Sequence, residues 1–212
     1  MKFGFKITAS GGAVPSALTG VDLHLPAGME LSSSTLGQVT CHSEALIAQG
    51  VSGCARNSLM GLGTALVEMS IESELIRETT SIAAFIGPSE NEHTVILFYA
   101  EGNTPVQTFL VFPGQLLPDS GAYGGRLDTV VPLIESLPGA PDVAVVSFQS
   151  TIGPNHVVYY DHRHGRVVHF QPRGIAIPTR CPSGGFPFSA DFSFLDGSHV
   201  TARRAVRCPH RR

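Results

Sequence analysis

The sequence has no tryptophan, and aromatic residues make up only 8% of its 212 residues. Charged residues are also scarce, at 15%, and the formal net charge is −3. Because a net acidic chain has no basic surplus for phosphate contacts, we expect no nucleic-acid partner. The longest apolar runs, such as Thr94–Ala100, are far shorter than the roughly 20 residues that cross a membrane as a helix. We therefore also expect no membrane span.

Familiar catalytic and nucleotide-binding motifs are missing as well. There is no G-x-S-x-G elbow, no H-E-x-x-H helix, no P-loop and no dinucleotide-binding fingerprint. A glycosidase needs two carboxylates at a fixed separation, which the sequence cannot define for the glutamates Glu68, Glu72, Glu74, Glu78, Glu90 and Glu92. Solvated strand faces and loops explain these residues more simply. We predict no catalytic residue and no cofactor, and hence a protein that is not an enzyme.

A secretion leader is missing too, because Met1–Ser10 alternates like a strand and has no apolar core. Yet four cysteines are present, and their spacing fits neither C-x-x-C nor a zinc site; they are Cys41, Cys54, Cys181 and Cys208. We favour two disulfides, 41–54 and 181–208, over four buried thiols or a zinc ion. Disulfides imply an oxidising compartment, so the protein is predicted to be secreted or part of the cell envelope. To reconcile this with the missing leader, we hypothesise that Met1 is an internal start.

What the sequence does contain is period-two alternation, interrupted by 23 glycines and 15 prolines. Alternation is typical of half-buried strands, and Phe186–Phe194 shows it without a break. The run Thr94–Ala100 is apolar throughout and predicts a central strand buried on both faces. Only Glu44–Gln49 indicates a helix, with Ser43 as its cap and Gly50 as its end.

These patterns predict ten to twelve strands and no interdomain linker. The best fit is a single all-β domain over residues 1–212, an antiparallel two-sheet sandwich that is immunoglobulin-like or jelly-roll-like, with one short helix near residues 43–49. Near its end, Asp196-Gly197 predicts a type I′ turn that places Cys208 opposite Gly185. A disulfide from Cys181 to Cys208 would then clamp the base of this hairpin.

A set of short motifs matches a known pattern. They are Leu25–Gly28, Cys41, Cys54, Ser58–Thr64, Pro105–Gly114 (PVQTFLVFPG), Ala122–Leu127 (AYGGRL), Val145–Gly153 (VVSFQSTIG), Cys181–Ser198 (CPSGGFPFSADFSFLDGS) and Cys208-Pro209. Over most of its length the chain resembles a family of secreted β-sandwich proteins of unknown function from actinobacteria. The resemblance implies the fold and the secretion, but it implies no activity and no catalytic residues. The tract Asn155–Phe170 matches least and is interpreted as a local specialisation.

That tract contains the sharpest chemical candidates. A hairpin with a turn at His164-Gly165 would bring His162 and His169 together diagonally on one face, and His164 would lie at its tip. Two or three imidazoles at this range are weak candidates for binding Zn²⁺ or Cu²⁺. Ordinary exposed histidines are the alternative that we favour.

Candidate binding residues lie on this hairpin and near the end of the chain. Tyr160 is one weak candidate, and the basic residues Arg203, Arg204 and Arg207 are others. The arginines could dock on an anionic envelope polymer in a salt-sensitive way, or they could be part of a solvated tail.

Three hypotheses about function follow from this sequence. The first is an exported or cell-envelope structural or interaction module, with an envelope polymer or another surface protein as its partner. The second is a carbohydrate-binding module, although the missing tryptophan argues against the usual aromatic platform. The third is a hydrolase whose site is assembled from distant loops.

Overall fold

The computed structural model describes residues 1–32, 39–71, 74–103, 107–134, 142–152, 159–170 and 174–208. Within these ranges the chain forms fourteen β-strands and one α-helix, α1 (Ser43–Gln49). The strands are β1 (Lys2–Lys6), β2 (Leu18–Pro26), β3 (Glu30–Ser32), β4 (Leu59–Ile71), β5 (Glu74–Ile86), β6 (Thr94–Gly102), β7 (Thr108–Pro118), β8 (Tyr123–Val130), β9 (Ala144–Ile152), β10 (Tyr159–Arg163), β11 (Arg166–Phe170), β12 (Gly174–Ala176), β13 (Phe186–Phe194) and β14 (His199–Val206). Their pairings are antiparallel. The prediction of an antiparallel, mainly β protein with one short helix is confirmed.

Ten of these strands form one continuous sheet, in the order β1-β9-β4-β5-β6-β7-β8-β2-β13-β14. The sheet curls strongly into a half-barrel, which brings β1 at one end against β13, the strand next to the other end. The ring of Phe5 on β1 packs edge-on against that of Phe192 on β13, with 4.9 Å between the ring centroids. The predicted two-sheet sandwich is not confirmed, because the other sheets in the described ranges, β10–β11 and β3–β12, have two strands each. Alternation along a strand shows that one face is buried, and a curled sheet buries that face as a second sheet would.

The concave face of the half-barrel holds the larger core. Ala65, Val67 and Met69 of β4 point into it together, as the alternation predicts. A cavity of about 160 Å³ remains within this face.

The convex face is covered over part of its area by the corner between Cys41 and Cys54. Leu46 of α1 is fully buried there, in one cluster with Phe85 of β5 and Leu97 of β6. The Cα atoms of Cys41 and Cys54 are 5.3 Å apart and the sulfurs are bonded, which confirms the first predicted disulfide. Strand β6 therefore has a core on each face, and this explains why its sequence does not alternate.

Two local predictions differ from the structure. The helix N-cap is His42 rather than Ser43, and its side chain makes no capping hydrogen bond, whereas Gly50 ends the helix as predicted with a φ of 60°. The apolar run Val106–Phe112 followed by Pro113-Gly114 predicts a strand that closes at this dipeptide, whereas β7 continues to Pro118 and pairs with β6 as far as Leu116. No helix in the described ranges is long and apolar enough to cross a membrane.

The hairpin of β13 and β14 is paired one residue out of the predicted register. Phe186 faces Val206 rather than Arg207. The reason is a three-residue loop after Phe194 in place of the two-residue turn: the Gly197 N–H donates to the Phe194 carbonyl at 3.0 Å, and Gly197 has a φ of 81°. This is the geometry of a turn that ends in a glycine bulge.

The base of the same hairpin is closed by the second predicted disulfide. The Cα atoms of Cys181 and Cys208 are 6.0 Å apart and the sulfurs are bonded. Gly184 and Gly185 have φ values of 93° and 96°, a region that favours glycine, and they fold the loop back as expected. The one-residue shift moves Cys208 past Gly185 without preventing the bond.

Candidate functional site

Strand β14 ends the ten-stranded sheet on one side and is exposed at all eight of its residues. Val200 and Val206 expose 55% and 49% of their surface. The three predicted arginines also lie here: Arg203 and Arg204 are on β14, and Arg207 follows it. Arg203 and Arg204 therefore lie on one exposed strand, and Arg207 comes directly after it.

The outer edge of β14 carries backbone groups that no described strand pairs. The Phe194 N–H donates to the Ser198 carbonyl at 3.1 Å, which fixes where the antiparallel ladder begins. Even-numbered residues of β14 therefore bond to β13, and the odd-numbered residues from His199 to Ala205 direct their N–H and C=O groups outwards. Such an edge is a template for another strand.

The tip of this hairpin is tied to the loop before β2. The Leu195 N–H donates to the Ala17 carbonyl at 2.9 Å, and the Asp196 N–H donates to the Ser16 hydroxyl at 3.1 Å. The Asp196 carboxylate in turn accepts hydrogen bonds from the hydroxyl and the N–H of Ser198, which lower its pKa.

The middle of the hairpin is held by a polar network on the convex face. His24 of β2 bonds two carboxylates: its Nδ1 lies 2.6 Å from Asp119 Oδ2, and its Nε2 lies 2.9 Å from Asp191 Oδ2. The Thr201 hydroxyl of β14 donates to the other oxygen of Asp191. The ring of Tyr123 packs beside the imidazole, with 5.2 Å between centroids. The network thus connects the β7–β8 turn, β2, β13 and β14.

The surroundings of His24 favour its charged form. Both ring nitrogens face carboxylates, and both can donate at once only when the ring is an imidazolium. Burial on its own would lower the pKa of His24, but the hydrogen bonds to Asp119 and Asp191 outweigh it and raise the pKa above its ordinary value. The His24 bond lowers the pKa of Asp119, while the Thr201 hydroxyl contributes most to the lowered pKa of Asp191. Because a general base needs a free ring nitrogen, this arrangement suits the joining of strands rather than proton transfer.

A second cluster of charged side chains lies beside the His24 network on the convex face. Arg126 Nε is 3.6 Å from Asp22 Oδ1, and Arg126 Nη2 is 3.8 Å from Asp128 Oδ2. Burial raises the pKa of Asp22, and the negative charge of Asp128 raises it further. Asp22 pairs in register with Asp191, so the polar groups are continuous from β8 to β13.

The other predicted site residues lie elsewhere. The hairpin of β10 and β11 has the predicted register, with His162 opposite Val167, and forms its own two-stranded sheet. His162, His164 and His169 are exposed on it. Within the described part of the chain, no group of three or more His, Cys, Asp or Glu side chains is placed to hold a metal ion. Tyr160, also on this hairpin, is 72% exposed and is not on the sheet that carries the arginines.

Sequence reasoning missed the His24 network. Its only local signal is that Asp22 and His24 occupy the polar positions of an alternating strand. The partners of His24 lie 95 and 167 residues further along the chain, and nothing in their neighbourhood indicates a pairing.

Comparisons of the chain with protein-family models, with curated proteins and with solved structures found no match.

Proposed function

We propose that this protein is a non-enzymatic interaction module of an extracytoplasmic compartment, and that it binds an extended acidic segment of another protein along β14. One observation carries the proposal: the free edge of β14 is exposed over its whole length, is basic, and is anchored at its tip, middle and base. The bound segment adds a strand to the sheet, so that main-chain hydrogen bonds provide affinity and side chains provide specificity.

The two disulfides support the compartment. Both cysteine pairs are bonded, and disulfides persist where the environment is oxidising. This agrees with a secreted or envelope protein, and with another surface protein as the partner.

The charges of the sheet edges support an acidic partner. Arg203 lies opposite Ser189 and Arg204 lies opposite Phe188, so the two guanidinium groups project to opposite faces of β14. At the other end of the sheet, β1 carries the exposed Lys2 and Lys6. Because both ends of the sheet are basic, edge-to-edge pairing between copies of this chain is disfavoured, and a strand with acidic residues is favoured.

The anchoring supports binding by a preformed strand. A strand that is already held in its extended conformation loses little conformational entropy when it binds, and this saving appears as affinity. A solvated tail would need none of these anchors.

The two alternative functions have less support. A carbohydrate-binding module needs an aromatic platform, but Tyr123 packs on His24 and Tyr160 lies on a different sheet. For a hydrolase, Glu68 is held by Arg77 at 2.6 Å and Glu90 accepts from Gln115 at 2.9 Å. These contacts fit structural roles for the glutamates.

The test is a titration with a blocked, fluorescently labelled octapeptide, Val-Thr-Val-Glu-Glu-Val-Thr-Val, followed by anisotropy. Its adjacent glutamates can meet Arg203 and Arg204 on opposite faces of an added strand. We expect it to bind about tenfold more tightly than the same peptide with two lysines, because like charges are disfavoured across a strand pair. Binding should weaken as salt is raised, since the arginines are exposed.

The matched variants are Ala205→Pro and Ala205→Ser. Proline removes an N–H that points to the free edge and leaves the ladder with β13 intact, so Ala205→Pro should fold but lose the peptide. Ala205→Ser keeps the N–H and should bind like the unchanged protein. Equal binding by Ala205→Pro would contradict strand addition. Binding of polygalacturonate by both variants, without binding of the peptide, would instead favour docking of an anionic polymer on the arginines.

A further inference from the structure

The cavity on the concave face is a second site that the edge strand does not explain. Its volume is about 160 Å³, and its walls are formed mainly by aromatic and aliphatic side chains, among them Phe5, Val67, Phe98, Phe112 and Phe148. An enclosed apolar cavity of about 150 Å³ is large enough to bind benzene, and this cavity is partly open to solvent. The size therefore suits a single ring or a short branched hydrocarbon.

Part of the cavity wall is polar. Thr80 of β5 and Thr108 of β7 line it, next to Gly102 of β6. Glu78 of β5 also lines the cavity: its Oε1 accepts the Asn103 N–H, and its Oε2 lies 2.8 Å from where a Cβ on Gly102 would be. The glycine thus leaves room for a carboxylate that is held at the cavity wall.

The carboxylate determines which head group the cavity accepts. A ligand that enters with its apolar part first leaves its polar end beside Glu78. An anionic end meets repulsion at that point, whereas an amine or an uncharged end does not. The apolar lining of the cavity and the charge of Glu78 at its wall therefore select ligands by two independent properties.

We propose that the half-barrel binds a small apolar molecule with an amine or uncharged end, and that Glu78 excludes carboxylates such as fatty acids. This site is independent of the partner proposed for β14, because it lies on the concave face and no residue of β14 lines it.

Three probes of similar size test the site: toluene, benzylamine and benzoate. Each is titrated into the full ¹⁵N-labelled chain, and backbone amide shifts are followed. We expect toluene and benzylamine to give saturable shifts at cavity residues, and benzoate to bind about tenfold more weakly than benzylamine. The proposal is overturned if neither toluene nor benzylamine binds, or if benzoate binds as tightly as benzylamine.

Glu78→Gln tests the selection separately. The amide keeps the shape of the side chain and removes its charge. Benzoate and benzylamine should then bind within about threefold of each other, with toluene unchanged. If the difference between benzoate and benzylamine persists in this variant, Glu78 is not the residue that excludes carboxylates.

Thr80→Phe and Thr79→Phe form a matched pair on one strand. Thr80 lines the cavity, and Thr79 is exposed on the opposite face of β5. Phenylalanine at position 80 should reduce toluene binding by about tenfold or more by filling part of the cavity, whereas the same change at position 79 should leave it unaltered. Ala100→Phe fills the cavity from β6 and replaces Thr80→Phe if that variant does not fold. If either folded filling variant still binds toluene normally, the ligand occupies another place and the proposal is wrong.

Discussion

At the residue scale, the stability of the polar network on the convex face depends on the charge of His24. The imidazolium is bonded on both sides by carboxylates, and one of these carboxylates also binds Thr201 of β14. Replacing the imidazolium removes two charge-assisted hydrogen bonds and leaves the acids facing each other. The proposed interaction surface on β14 is therefore supported by a titratable group that lies on β2, outside that surface.

The sign of the pH dependence follows from the directions of the pKa shifts. The pKa of His24 is higher in the folded protein than in the unfolded chain, so its contribution is complete below the unfolded pKa and is lost as pH rises through the folded pKa. The pKa values of Asp119 and Asp191 are lowered, so their contribution is present above the unfolded pKa and is lost as pH falls through the folded pKa. The network therefore contributes most to the stability of the fold at pH values between the ordinary pKa values of Asp and His, about 3.9 and 6.5.

His24→Gln should therefore destabilise the protein most at weakly acidic pH. We expect a loss of about 2 kcal/mol at pH 5.5, as for a hydrogen-bonded charged group, and a smaller loss at pH 9. Urea unfolding of the variant and the unchanged protein at both pH values measures it. An equal loss at the two pH values would show that the charge of His24 is not what matters.

The alternation of β2 predicts that Asp22 and His24 share the polar face, but it does not predict their partners. Asp119 comes from a turn and Asp191 from a strand near the end of the chain. Only the position of β2 between β8 and β13 brings these residues together, and strand order is a property of the whole sheet.

At the element scale, the β13–β14 hairpin shows how one residue in a turn sets the register of the strand that we propose as a binding edge. Asp196-Gly197 was sufficient to predict a hairpin, and the alternation of Phe186–Phe194 was sufficient to predict its buried face. The register could not be predicted, because this dipeptide fits both a two-residue turn and a three-residue loop with a glycine bulge. The loop that forms is the one whose Leu195 and Asp196 N–H groups reach Ala17 and Ser16.

Gly197→Ala should weaken this hairpin through the backbone alone. Gly197 has a φ of 81°, and no atom lies within 4 Å of the Cβ that alanine would add. We expect a loss of about 1 kcal/mol in urea unfolding, because alanine is strained at positive φ. Gly197→Asn is the matched control and should lose less, since asparagine tolerates this region. An equal loss in both variants would mean that the loop does not need the left-handed conformation.

At the scale of the whole molecule, a single curled sheet provides two separate surfaces. The concave face encloses a core and a cavity, and the exposed end of the same sheet provides the basic strand. The sequence predicts strands, buried faces and both disulfides, because these depend on local alternation and cysteine spacing. It does not distinguish a sandwich from a half-barrel, because residues on a buried face look the same whichever surface covers them.

The two disulfides should differ in how easily they are reduced. Cys41 is 2% exposed beneath the convex-face corner, whereas Cys181 is exposed. With increasing reductant, alkylation and mass spectrometry should detect free thiols at Cys181 and Cys208 first. On the chain-entropy model, loss of the bond that spans 13 residues costs about 3 kcal/mol and loss of the bond that spans 27 residues slightly more. If Cys41 and Cys54 were labelled first, the corner would not be packed as described.

The most direct test of the strand-addition account is amide hydrogen exchange along β14, measured residue by residue with and without the glutamate octapeptide. In the free protein, the inward amides should exchange slowly and the outward amides quickly; the inward set is Val200, Ala202, Arg204 and Val206, and the outward set is His199, Thr201, Arg203 and Ala205. The account predicts that the glutamate peptide slows the outward set and that the lysine peptide does not. Outward amides that still exchange quickly in the saturated complex would contradict it.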